Sequence, residues 1–349
     1  MRTLGRWPAL LFCSFCSALV AACGGDPAPN DAAVVVRDDA FVPAGEDAGP
    51  MPEDAPVPAL DASPDAAVSS PDAAMSRDDA GMTSACGGAR PDVSGVTGTE
   101  GLVIARDGTL YYSQRGAIGR LGPDGTQDDT FVVLPRGSST VWGLVLDAAN
   151  EHLYVGSPND ATIFDIDLTA ATPTPVALVT RAGQPNGLTL GPDGALYYSD
   201  FGGGRVMRVA LPDGGTPTMV ASVPSANGVA FDDEGRLLVC NYGGGQLLRL
   251  TLADGVEASR ETVASRLGRP DGVALDAEGT IYVTDNGGGR LLRLGADGTP
   301  TVLRMGIGAA ASLEFGAGPL DCEDVYVASS GALARYEMGT VRGRAVPWH

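Results

Sequence analysis

From about residue 100 onward the apolar positions come in short runs, never in long ones. Leu110-Tyr111-Tyr112, Leu196-Tyr197-Tyr198, Leu237-Leu238-Val239-Cys240 and Ile281-Tyr282-Val283 are each closed by polar and glycine-rich turns. Apolar runs of this length between turn residues predict strands. Asp107-Gly108, Asp193-Gly194, Glu234-Gly235 and Glu278-Gly279 precede second runs and place Gly where a hairpin needs positive φ. Alternation within the runs is weak, as in Thr280-Ile281-Tyr282-Val283-Thr284, which fits strands covered on both faces. No segment carries the 3.6-residue periodicity of a long amphipathic helix.

The runs repeat in a fixed frame. Each unit opens on a variable residue followed by Gly or Ser and an apolar residue: Glu100-Gly101-Leu102, Trp142-Gly143-Leu144, Asn186-Gly187-Leu188, Asn227-Gly228-Val229, Asp271-Gly272-Val273 and Ala311-Ser312-Leu313. A turn, a second run ending in a polar residue, a glycine cluster and an Arg-bearing third run complete the clearest units. The six anchors fall 42, 44, 41, 44 and 40 residues apart. Short strands at such a period are the signature of propeller blades, and no blade can bury both faces alone. The expected fold is all-β: one six-bladed β-propeller of about 43-residue repeats.

Composition adds what lies before the repeats. The chain has 349 residues, 49 Gly, 25 Pro, no Lys and a net charge of −20, which excludes a phosphate-binding surface for nucleic acid. Residues 1–22 read as a signal peptide: Arg2 and Arg6, an apolar core from Leu10 to Val20, then Ala21-Ala22-Cys23. A small-residue run ending in Cys resembles a bacterial lipobox, which implies lipidation of Cys23 and stable membrane anchoring. Gly24 rather than Asp follows, pointing to secretion and the outer membrane, on its periplasmic or surface face. Residues 23–85 are Ala-, Pro- and Asp-rich. Residues 24–85 carry 13 acidic residues and two Arg, with Phe41 as the sole aromatic, so they are expected to form a disordered tether. Its random-coil reach is about 40 Å.

Residues 86–349 are expected to form the propeller. Cys86 precedes the first blade and Cys322 lies in the last. Ring closure in an oxidising compartment brings them into position for a disulfide; the alternative is two unrelated thiols. Cys240, inside an apolar run, is expected as a buried free thiol. A monomer is expected.

The variable residue before each anchor is the candidate chemistry. Six equivalent positions in a propeller converge on one end of the central channel. Four of them carry oxygen donors: Glu100, Asn186, Asn227 and Asp271. Two carboxylates and two amides suit one hard divalent cation, Ca²⁺ above all, whereas Zn²⁺ would want His or Cys. The competing explanation is that Asn-Gly and Asp-Gly are ordinary turn pairs.

Read in blade order, this set resembles the gluconolactonase, senescence-marker-protein (regucalcin) and luciferin-regenerating-enzyme family over about residues 95–340, with Pro270-Asp271-Gly272-Val273 as the closest local match. The resemblance implies that the four side chains hold a divalent metal and that the metal polarises a lactone or ester carbonyl. It implies for Asp271 the role of catalytic base or nucleophile. The chain departs from the family's gluconolactonases at Gln184, where they have an Arg for a polar substrate. His152 and His349, the chain's two histidines, offer no paraoxonase-like pair. Trp142, Gln184, Asp200, Asn241 and Asp285 are further candidates at the channel mouth; for the last three the competing role is hairpin capping before the glycine clusters. Two functions follow: a metal-dependent hydrolase of a small lactone or ester, or a non-catalytic surface-anchored binding module.

Overall fold

The computed structural model describes residues 86–343 except 98–99, 136–139, 330–331, 340 and 342. The expected signal segment, Cys23 and the tether lie outside the described residues. Within them the chain is all-β, in six antiparallel sheets whose strands follow one another in sequence order. Five sheets have four strands and the sixth has three among the described residues. This is a six-bladed β-propeller, as the repeat predicted.

The innermost strands are Leu102–Ile104, Leu144–Leu146, Pro185–Leu190, Ala226–Phe231, Pro270–Leu275 and Ala310–Phe315. Each contacts the innermost strand of the next blade, and the last contacts the first, so the ring is closed. The second strands are the best covered: all five residues of Leu196–Asp200 and of Ile281–Asp285 are buried. That explains their weak alternation, since both faces of a blade pack against neighbours.

The hydrophobic core lies between blades. Tyr282, Leu313, Phe315 and Val327 join the fifth and sixth. Leu102, Tyr112, Tyr326 and Ala328 join the sixth and first. Buried tyrosines recur here because the ring fills the wedge between sheets; the Tyr282 hydroxyl also finds a carboxylate, donating to Asp276 at 3.0 Å.

The segment leading into the first blade is fastened to the last. Cys86 and Cys322 form a disulfide, with Cα atoms 5.5 Å apart. Ala89 and Leu320 make a parallel bridge. Arg90 pairs with Asp321 at 2.8 Å, Asp324 at 3.2 Å and Glu337 at 2.9 Å. Cys240 is a free thiol, buried at the boundary of the fourth and fifth blades.

Candidate functional site

The anchor glycines are required by close approach. A Cβ on Gly101 would overlap the Trp142 carbonyl oxygen, one on Gly143 that of Asn186, one on Gly187 that of Asn227, one on Gly228 that of Asp271 and one on Gly272 that of Ala311. None of these five has a positive φ, so turn chemistry is not their reason. Each lets the next blade's variable residue come against its backbone. This draws the six variable positions into a ring at one end of the channel.

A local break in pairing then aims the side chains. The ladder between first and second strands skips register at Asn186-Gly187, Asn227-Gly228, Asp271-Gly272 and Ala311-Ser312. Such a bulge turns a side chain off the sheet plane. The freed amides are held by hydroxyls from the second strand. Ser113 Oγ accepts from Glu100 N at 2.8 Å and Gly101 N at 3.0 Å. Ser199 Oγ accepts from Gly187 N at 2.9 Å, and Thr284 Oγ1 from Gly272 N at 2.7 Å. The sequence signal for these clamps was present but unread: a small hydroxyl residue stands next to last in each of these second strands.

Asn186, Asn227 and Asp271 are 8%, 3% and 5% exposed and line one cavity together with Trp142, Ser312 and Glu314. Its free volume is ≈ 60 Å³. Glu100 enters beside it from the first blade: its negative charge acts on Asp271. Burial first, and then Glu100, push the Asp271 carboxyl well above the usual carboxylate range. Hydrogen bonds from the Asn286 and Asn227 amides oppose this. Glu100 is itself raised by burial. The Asn227 side chain, with its NH₂ on Asp271, leaves its buried Oδ1 with no donor.

This donor set fits a hard divalent cation. Two carboxylates with no Arg partner supply two negative charges, and a buried amide oxygen without a hydrogen bond supplies a free lone pair. No group of three His, Cys, Asp or Glu forms a metal cluster among the described residues, so the amides are indispensable to such a site.

Two further side chains complete the site: Asn286, which the sequence places at the mouth one residue past Asp285, and Glu314, which went unread there. Asn286 follows the second strand of the fifth blade; its Oδ1 accepts from Tyr242 Oη at 3.2 Å while its amide reaches Asp271. Glu314 lies two residues past the sixth anchor and faces the same cavity without a protein hydrogen-bond partner. Burial pushes its carboxyl up to about 8.

The remaining candidates sit apart from the cavity. Asp200 accepts from Gln184 N at 2.8 Å, Gly203 N at 3.0 Å and Arg205 Nε at 2.9 Å. Asp285 repeats this with Arg269 N at 2.8 Å, Gly288 N at 3.1 Å and Arg290 Nε at 2.7 Å. Asn241 accepts from Gly244 N at 3.0 Å. All three spend their oxygens inside the glycine turns, the capping role weighed above. Gln184 is exposed on the rim beside Gly202.

No family model and no curated protein matches this sequence. Solved structures do. A protein assigned as a gluconolactonase superposes with a TM-score of 0.60 at 23% identity, over 74% of this chain and 94% of its own. The fold is that of the gluconolactonase and regucalcin propellers. Regucalcin from Agrobacterium tumefaciens, described as a calcium-binding protein, gives 0.58 at 19% identity over 72% and 94%. A luciferin-regenerating enzyme gives 0.57 at 16% over 74% and 99%. These are the proteins that the blade-ordered residues resemble.

Proposed function

We propose that the chain is a metal-dependent hydrolase of a small lactone or ester, with Ca²⁺ as the ion. The observation that carries this reading is the juxtaposition of buried Asp271, Glu100 and the donorless Asn227 Oδ1 at one end of the channel. The regucalcin and gluconolactonase propellers lend it support by fold.

Glu100, Asn186, Asn227 and Asp271 would hold the ion. Bound there, a divalent cation supplies Lewis-acid polarisation of the substrate carbonyl and compensates the two carboxylates. Asp271 accepts a proton from the attacking water. The remaining hydroxyl joins the acyl carbon, the bond from that carbon to the alkoxy oxygen breaks, and the proton ends on the departing oxygen. Asn286 holds Asp271 in orientation through its amide, and Tyr242 holds Asn286. In a lactone the leaving oxygen stays tethered, so the product is one hydroxy acid; in an ester it departs as an alcohol. The Cys23 anchor and acidic tether would place this activity at the membrane surface.

A panel of lactones, carboxylic esters and phosphotriesters tests the proposal. Turnover that requires a divalent ion and is lost in Asp271→Asn supports it. Ion binding with no turnover on any member would hand the site to the binding-module function.

A further inference from the structure

The cavity bounds what can enter. About 60 Å³ is room for roughly four waters at about 10–15 Å³ each. A carbonyl group and an attacking water fit that space; the body of an ester or lactone does not. The body must lie on the rim, so the rim selects the substrate.

A chain of three aromatic rings leads outward from the cavity. Trp142 lines the cavity itself. Its ring meets Phe201 edge-to-face, with centroids 6.1 Å apart and planes at 79°. Phe201 meets Tyr242 in the same way at 5.7 Å and 79°. The Arg269 guanidinium covers Tyr242 at 5.7 Å, and the Tyr242 hydroxyl is spent on Asn286, which reaches Asp271. The arc therefore runs without interruption from the cavity wall to the base. Phe201 and Tyr242 occupy equivalent positions in the third and fourth blades, directly after the residues that cap the second strands. Their backbones are pinned there by Phe201 N to Gln184 O at 3.0 Å and Tyr242 N to Ser225 O at 3.1 Å. Each of the three rings is partly exposed. A polyhydroxylated substrate would need several free polar groups here. The rim presents Gln184, an Asn286 whose oxygen and amide are both engaged, and ring edges and faces, with the Arg269 guanidinium laid over Tyr242 as its one charged group among these.

We propose that Trp142, Phe201 and Tyr242 form a seat for a flat apolar group, so that the substrates of this site are aromatic esters or aromatic-fused lactones rather than sugar lactones. This rests on the hydrolase reading for the bond that is cleaved, but the seat is a binding property and can be measured without turnover. A stacked or edge-packed ring gives about tenfold in affinity per well-formed aromatic contact.

The test pairs turnover with binding on the Ca²⁺-loaded protein. Phenyl acetate and glucono-δ-lactone are the two substrates, and acetanilide, an uncleaved isostere of phenyl acetate, is the calorimetric probe. Expected are a kcat/KM for phenyl acetate above that for glucono-δ-lactone and measurable acetanilide binding. In Phe201→Ala the ratio of the two kcat/KM values should fall about tenfold, through KM for the aromatic ester, and acetanilide binding should weaken by a similar factor. Phe201→Leu keeps the volume and guards against a folding defect; it should recover part of the loss. If neither substrate turns over but acetanilide binds and Phe201→Ala weakens it, the seat stands and the hydrolase reading falls. Turnover of glucono-δ-lactone at least as fast as phenyl acetate, with Phe201→Ala leaving the ratio unchanged, overturns the inference and leaves the hydrolase reading intact. Absence of acetanilide binding overturns it as well.

Discussion

Glu100 of the first blade and Asp271 of the fifth meet at the channel mouth as two carboxylates, and Glu100 is the charged group that raises Asp271. No Arg offsets either one. Burial and like charge both disfavour ionisation, so in the ion-free protein this pair opposes folding at neutral pH.

Asp271→Asn should consequently stabilise the chelated protein while abolishing its activity. The folded carboxyl holds its proton to higher pH than the unfolded one, so stability is present at low pH and is lost as pH rises past the ordinary carboxylate value. At pH 7 the Asn variant should melt higher than wild type. Melting in the presence of chelator checks it; a lower Tm than wild type would mean that Asp271 is compensated by something other than an added cation.

Glu314 gives a second titration with a defined window. Its carboxyl sits at about 8 in the folded protein, against 4.5 for the ordinary group. The sign follows from the proton: below about 4.5 both states are protonated and burial costs nothing extra. Between that value and 8 only the unfolded state loses its proton, so stability falls. Glu314→Gln should match wild type near pH 4.5 and be the more stable at pH 8. Thermal unfolding across that range, with a pH-independent difference between the two proteins, would remove Glu314 from the channel's electrostatics.

The Cys86–Cys322 disulfide closes 236 residues of chain. Restricting so long a loop in the unfolded ensemble is worth about 5–6 kcal/mol in the chain-entropy description. Reduction, or a Cys86→Ser Cys322→Ser double variant, should lower the urea midpoint accordingly. An unchanged midpoint would show that Arg90 and the Ala89–Leu320 bridge fasten the ring on their own.

Asp285 separates capping from substrate binding. It is buried at 1% exposure, and its three donors are two backbone amides and the Arg290 guanidinium. Its removal leaves the Arg269 and Gly288 amides without an acceptor, at roughly 1–3 kcal/mol each. Asp285→Ala should lower stability by that order with little change in KM. A rise in KM at unchanged stability would return Asp285 to the channel rim.

The fold was readable because repetition multiplies a weak signal. One short apolar run is ambiguous, but six at a spacing near 43 residues are not. The converging positions were readable for the same reason, since equivalent residues occupy equivalent places. What escaped was whatever depends on contacts between blades. The anchor glycines look like turn residues in sequence, yet they answer to a neighbour's carbonyl oxygen some 40 residues on. Asp200 and Asp285 look like mouth residues because their strands end there, and only the hydrogen bonds show that the oxygens point back into the turn. Asn286 stands at the mouth in sequence, at the position of Phe201 and Tyr242, but its reach to Asp271 exists only once the fifth blade has folded. Glu314 breaks the pattern of its own strand, where the other blades carry Val103, Val145, Thr189, Ala230 and Ala274.

Calorimetric titration of the chelated protein with Ca²⁺ tests the central claim most directly. The account predicts one saturable site, lost in Asp271→Asn, weakened in Glu100→Gln by removal of one of two ligand charges, and weakened less in Asn186→Ala and Asn227→Ala, where a neutral donor is removed. No heat and no shift in Tm with millimolar Ca²⁺, Mg²⁺ or Mn²⁺ would contradict it.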